Sequence, residues 1–478
     1  MFTPTIPPAR RARRFTVVMA TIILAICPAR PVIAQPRYAE QQLAFDIFKE
    51  LIEINTVTAT GDTYRAAEAM AVRLRAAGFS AEDAQVLSPA PRKGNLVARL
   101  RGTGERKPIL LLAHLDVVVA RREDWSMDPF KLIEQDGYFY GRGTSDDKAM
   151  AAAFIANLIR YRQEGFRPAR DIIVALETDE EILDRNVMGI QWLLMNHRPL
   201  IEAEFALNEG SGVAMRGGKA FRNGIQTSEK FIINFRLEVR DPGGHSSVPR
   251  KDNPIYRLAE GLVRLGKFDF PVKLNETTRA FFNRAAELEN EQLAAEMRSV
   301  TSVSSDLEAL SIVRLTSSPF YNAQLRTTCV ATMLEGGHAG NALPQFARAH
   351  VNCRVLPGEP AAEVRETLVR VLADERIVVT QLGEPVLSTP SALHKDVMQA
   401  IEKVTAELWP GIPVIPIMST GGTDGSHLRN AGIPTYGTSG AASEEIRAHG
   451  RDERVLVKSF FDANEYLYRL VKLLAGSQ

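Results

Sequence analysis

The chain is poor in cysteine and has almost no net charge: three cysteines in 478 residues, and a formal charge of +1. So few cysteines exclude a small disulfide-built fold. Their positions, 27, 329 and 353, lack the spacing of a thiolate metal site. No basic stripe lies beyond the first residues, so nothing implies a nucleic acid or another polyanionic partner. Internal repeats and low-complexity tracts are missing too. The apolar stretch from Phe15 to Cys27 is shorter than the ~20 residues that span a bilayer, so no stable membrane insertion is expected.

What is present is ordinary globular text, 45% hydrophobic and 24% charged. Its length exceeds what one hydrophobic core serves, so at least two domains are expected. Arg10, Arg11, Arg13 and Arg14 precede the apolar stretch, and Val32-Ile33-Ala34 follows it before Gln35. This is the layout of an export signal over 1–34, and it predicts a bacterial periplasmic (or secreted) protein. An uncleaved anchor is the alternative. Cleavage would remove Cys27 and leave Cys329 and Cys353 in strand-like text, where two buried thiols are expected rather than a disulfide.

Helical spacing in AFDIFKELIEI, YRAAEAMAVRLRAAGF and MAAAFIANLIRYRQEG alternates with near-continuous apolar runs in PILLLAHLDVV and DIIVALETDEE. Runs of that kind read as strands buried on both faces of a helix-covered sheet. Near Ser228 the texture changes: EKFIINFRLEVRD alternates apolar and polar residues, as a sheet with one exposed face does. The prediction is an α/β fold. Residues 38–227 and 385–478 form one discontinuous domain around a mostly parallel sheet, and 228–384 form a smaller inserted α+β domain.

Four acidic-and-histidine clusters punctuate the first of these. They are His114 and Asp116 in AHLDVV, Asp146 in GRGTSDDK, Glu180 and Glu181 in ETDEE, and His449 in RAHGRDE; Glu209 in ALNEGSG is a fifth candidate. Each has a plain alternative: a core histidine, a helix cap, a solvated acidic loop, a surface histidine. Together they supply the imidazole and carboxylate donors that hold zinc, cobalt or manganese. Asp116, two residues from His114, is suited to orient its ring, and a Glu adjacent to a metal ligand is suited to act as a base.

The set HLDVV, GRGTSDDK, DEE, GGHSS, GGTDG and a late His, in that order, resembles the M20 metallopeptidase family, which includes the glutamate carboxypeptidase, acetylornithine deacetylase and carboxypeptidase S groups. The resemblance implies two divalent cations, zinc first with cobalt or manganese as alternatives, held by His114, Asp146, Glu181, Glu209 and His449. Asp146 bridges them, Glu180 is the general base and Asp116 the orienting carboxylate. Where relatives carry Asp-Glu-Gly or Glu-Pro, this chain has Asn208-Glu209-Gly210, and Glu209 is preferred because an amide is a poor zinc ligand. His245 in DPGGHSSVP matches a histidine that reaches the active site of a partner subunit and stabilises an oxyanion. Asn341, Arg354, Gly421, Gly422 and Thr423 match substrate-contacting positions. A turn histidine and a strand-end salt bridge are the alternatives for His245 and Arg354. The implied activity is hydrolysis of a peptide or N-acyl-amino-acid amide beside a free carboxylate. The inserted domain would serve as a lid or dimerisation surface and allow a homodimer. Competing readings are a narrow N-acyl-amino-acid amidohydrolase and a binding protein that has lost catalysis.

Overall fold

Two uninterrupted apolar runs become the middle of the larger sheet. Ile109–His114 and Ile172–Glu177 are buried at every position and pair in parallel, Ile109 opposite Ile172 and His114 opposite Glu177. The computed structural model describes residues 37–182, 189–302, 305–445 and 447–476. The export signal read at 1–34 lies outside the described residues. No helix among the described residues is long and apolar enough to cross a membrane.

Alternation along these strands divides the core. Ile109, Leu111, Ala113, Val174 and Leu176 face the helices Ala39–Glu53, Lys148–Gln163 and Val457–Ala475. Leu110, Leu112, Ile173 and Ala175 face the other way, toward Ile190, Leu193 and Leu428 on shorter helices. Side chains of a strand point alternately to its two faces, so a run that is apolar throughout demands helices on both. Among the described residues the sheet has ten strands. Phe205–Asn208 and Thr435–Gly437 extend the parallel centre; antiparallel strands Ala84–Ala90 and Lys93–Leu100 close one edge, and the other edge mixes antiparallel and parallel pairings. This is the helix-covered, mostly parallel sheet that the sequence predicts.

A second sheet of four antiparallel strands runs in the order Thr328–Gly336, Phe346–Val355, Phe231–Arg240, Val378–Leu382. Phe231, Ile233, Phe235, Leu237 and Val239 point inward against the helices Pro254–Lys267 and Ala361–Leu372. Their neighbours are more exposed, which is the pattern of a sheet covered on one face. The chain passes from the larger sheet to the smaller at Lys230, between strands Lys219–Glu229 and Phe231–Arg240. The amphipathic text from Thr277 to Leu310 becomes the helices Glu276–Ala285, Glu291–Thr301 and Ser305–Leu315. Phe281, Phe282, Met297 and Val300 share a core with Ile415, so this segment packs on the larger sheet.

One expectation is corrected. Cys329 and Cys353 are not two free thiols but a disulfide. The antiparallel register sets Cys329 directly opposite Cys353, which brings the two side chains together on neighbouring strands.

Candidate metal centre

Four of the candidate residues sit at or just past the ends of three adjacent parallel strands. His114 closes Ile109–His114, Glu180 and Glu181 follow Ile172–Glu177, and Glu209 follows Phe205–Asn208. Open α/β sheets gather ligands at these carboxyl ends. Asp146 comes from the turn that leads into helix Lys148–Gln163. That turn needs Gly143, whose φ of +89° is left-handed and whose added Cβ would lie 2.9 Å from the Lys148 side chain. Asp147, not Ser145 or Asp146, takes the cap position, and it makes no capping bond from its side chain. Asp146 is therefore free to face the histidines. His449 arrives from a C-terminal loop, itself at φ +64°.

These side chains converge. His114 Nε2 lies 2.9 Å from Asp146 Oδ1 and 4.0 Å from Glu209 Oε1. His449 Nε2 lies 3.1 Å from Asp146 Oδ2 and 3.0 Å from Glu181 Oε1. Asp146 thus presents one oxygen to each imidazole. His114 forms one group of potential ligand atoms with Glu180 and Glu209 and another with Asp146 and Glu181, each within 4.8 Å. His114 is buried, while His449 is half exposed, so the cluster opens on the His449 side.

The electrostatics are those of a site short of positive charge. Burial pushes Glu180 and Glu209 well above the usual carboxylate range, and neighbouring carboxylates add to it. Burial likewise brings Glu181 up to about 7, with His114 and His449 opposing it. Asp146 goes the other way: burial would raise it, but its hydrogen bonds to His114 and His449 hold it below the ordinary range. His449 rises to about 9, through Asp146 first. Carboxylates crowded and buried in this way need a countercharge. An imidazole-and-carboxylate set of this spacing fits divalent cations.

Two supports hold the cluster in place. The strand ends at His114, so Asp116 lies just beyond it. The Asp116 backbone carbonyl is 3.0 Å from His114 Nδ1, and its carboxylate is 3.6 Å away. That carboxylate also accepts the backbone N–H of Glu180 and of Glu181, both at 3.1 Å. The second support went unassigned at the level of sequence, although both of its members stand inside the motifs. Glu453, buried four residues past His449, accepts from Ser145 N at 2.8 Å, Asp146 N at 3.2 Å and Arg142 Nη1 at 2.7 Å. Arg142 in turn donates to the carbonyls of His449 and Gly450 at 3.3 and 3.0 Å.

The remaining candidates lie apart or at the edge. Thr423 accepts from Asn208 Nδ2 at 3.4 Å and donates to Glu229 at 2.9 Å, so the Gly421–Gly422–Thr423 loop adjoins the strand that precedes Glu209. The Asn208 amide is engaged there, while Glu209 faces the cluster. His245 is exposed on a short strand, bonded to Ser247, and Ser246 N donates to the Asn341 carbonyl at 3.0 Å. Arg354 is partly buried in the smaller sheet; burial alone lowers its pKa. Among the described residues, none of these three bonds to the cluster of histidines and carboxylates.

A helix-covered α/β sheet with imidazoles and carboxylates gathered at its strand ends defines a metal-dependent hydrolase. The chain belongs to peptidase family M20/M25/M40, whose profile matches residues 110–473. The human N-fatty-acyl-amino acid synthase/hydrolase PM20D1 is 29% identical over 375 residues, 77% of this chain and 74% of that protein. The crystal structure of an M20 metallo-carboxypeptidase from Sulfolobus solfataricus matches with a TM-score of 0.67 at 20% identity, covering 90% of this chain and 98% of that one. Bacillus subtilis YXEP, described as a dinuclear metal-binding peptidase of the family, matches with a TM-score of 0.59 at 13% identity, over 91% and 99%. The last two are likenesses of fold.

Proposed function

We propose that the chain is an exported two-metal hydrolase that cleaves an amide beside a free carboxylate, with N-acyl amino acids as its substrates. One observation carries the reading: Asp146 offers an oxygen to each of two imidazoles, with Glu209 beside His114 and Glu181 beside His449. Asp146, with His114, Glu209, Glu181 and His449, would hold two divalent cations, zinc first among the metals that fit. Bound there, such cations supply Lewis acidity and lower the pKa of a water.

The chain's own residues do the rest. Glu180 takes the proton of the attacking water as its oxygen bonds to the scissile carbonyl carbon. Burial has raised this carboxyl toward a base's working range. As the C–N bond breaks, Glu180 returns the proton to the leaving nitrogen, releasing a carboxylic acid and a free amino acid. Asp116 keeps Glu180 and Glu181 in place by accepting their backbone N–H groups.

Residues 228–384 act as lid and dimerisation domain in this reading. Arg354, partly buried and without an anion among the described residues, suits a substrate carboxylate, with Asn341 and the Gly421–Gly422–Thr423 loop as further contacts. His245, exposed and away from its own cluster, would serve the site of a second copy. That copy would seat on the unpaired edge of Thr328–Gly336, where Met333 and Leu334 are 70% and 72% exposed. The named N-fatty-acyl relative favours N-acyl amino acids over peptides. The deciding assay offers the metal-loaded protein dipeptides and N-acyl amino acids with free and with blocked carboxylates. Turnover of the free-carboxylate N-acyl amino acids is expected; turnover of neither class would refute the proposal.

A further inference from the structure

Beside Asp146 and Glu209 lies a cavity of about 700 Å³, within the ~300–1,000 Å³ of sites that enclose small ligands. Two helices contribute apolar faces to its walls. Lys148–Gln163 contributes Ala149, Met150 and Ala153, positions that share one helical face. Val457–Ala475 contributes Phe460, Ala463 and Leu467, again one face. All six are apolar, and the three alanines leave room that larger side chains would fill.

Three hydroxyls of the wall are already engaged. Thr144 donates to the Gly141 carbonyl at 2.8 Å, Ser145 to Glu453 at 2.8 Å and Ser439 to the Ser211 carbonyl at 3.0 Å. Beyond the acidic cluster, the lining Glu and Arg side chains pair among themselves or with backbone, while Asp147 is buried with one carboxylate oxygen unpartnered. Glu445 pairs with Arg447 at 2.8 Å and with Arg454 at 3.0 Å, and Glu444 accepts Gly217 N at 2.8 Å. A substrate's ammonium group would lose its hydration here, between two apolar helix faces. An alkyl chain would lose nothing and gain the burial of its methylenes.

We propose that this cavity is an acyl-chain subsite. It receives the unbranched alkyl tail of an N-acyl amino acid whose scissile amide lies at the Asp146–Glu209 end. The proposal rests on the N-acyl-amino-acid reading of the metal centre and adds where the acyl group goes and why long chains are favoured.

The test uses the metal-loaded full chain. Calorimetry measures the binding of butyrate, octanoate and dodecanoate, and kcat/KM is measured for N-acetyl-, N-octanoyl- and N-dodecanoyl-phenylalanine. Each buried methylene is worth roughly a fourfold gain in binding, so dodecanoate is expected to bind at least about a hundredfold tighter than butyrate. kcat/KM should rise along the acyl series. Ala153→Phe and Ala463→Phe fill the cavity from opposite walls, and each is expected to cut the dodecanoate-to-butyrate ratio by about tenfold or more. If one variant fails to fold, the other and the wild-type slope still decide. A flat wild-type series, or an unchanged ratio in a folded variant, overturns the subsite. Chain-length-dependent binding with no hydrolysis of any N-acyl amino acid would instead uphold the subsite and sink the amidase reading.

Discussion

Arg142 and Glu453 form a buried ion pair, Nη1 to Oε2 at 2.7 Å, that joins the loop of Asp146 to the loop of His449. Glu453 holds backbone N–H groups of the first loop, and Arg142 holds carbonyls of the second. Residues more than 300 apart in sequence are thereby fixed at a spacing that suits one pair of cations. Removing one member of a buried pair strands the other. Glu453→Gln is therefore expected to cost about 3–5 kcal/mol in stability. It should also weaken metal binding by about tenfold or more, because supporting residues orient ligands. Denaturant unfolding and metal content after dialysis read the two effects separately. Full retention of metal would mean that the pair supports the fold and not the site.

Glu180→Gln keeps the shape of the side chain and removes its basicity. If Glu180 carries the proton, kcat should fall by about a hundred- to ten-thousandfold while both metals stay bound. Metal analysis beside steady-state kinetics checks this. Loss of metal together with activity would make Glu180 a ligand, a role its place within 4.8 Å of His114 and Glu209 also permits geometrically.

The fold and the acidic cluster were legible because each depends on local pattern. Continuous apolar runs demanded a doubly covered sheet, and the carboxylates and His114 stood where those runs ended. What was hidden depends on register and on long-range contact. Arg142 and Glu453 were in view inside GRGTSDDK and HGRDE, but nothing local says that the carboxylate of one motif caps the turn of the other. The Cys329–Cys353 pairing likewise requires knowing that the two strands lie antiparallel with those residues opposite. The packing of Phe281 and Phe282 on Ile415 joins residues more than 130 apart, beyond the reach of any periodicity.

The disulfide makes a measurable claim about stability. Closing the 24-residue separation between Cys329 and Cys353 is worth roughly 3 kcal/mol through the entropy of the unfolded chain. Reduction, or a Cys329→Ser and Cys353→Ser double variant, should lower the unfolding free energy by about that amount. Denaturation with and without reductant reads the difference, and the double variant should lose its response to reductant. An equal response in wild type and variant would mean that the bond is not formed in the folded protein.

Lys230, at the passage between the two sheets, ties stability to pH. Its amine is buried and donates to the Arg326 carbonyl at 2.6 Å. Burial brings it down to about 7, with Glu359 opposing and Arg354 adding. In the unfolded chain a lysine titrates near ~10.4. Between these values the unfolded state holds a proton that the folded state does not, so the Lys230 contribution to stability rises with pH across the window, by at most about 1.4 kcal/mol per unit. Below about 7 both states are protonated, and the cost of burying the charge is present in full. Lys230→Met keeps the volume and removes the charge. It should be more stable than wild type at pH 6, and that advantage should shrink steadily toward pH 10. Thermal unfolding of both proteins at pH 6, 8 and 10 isolates this one group, because every other titration is common to the pair. A difference that does not change with pH would show that Lys230 keeps an ordinary lysine pKa in the folded protein.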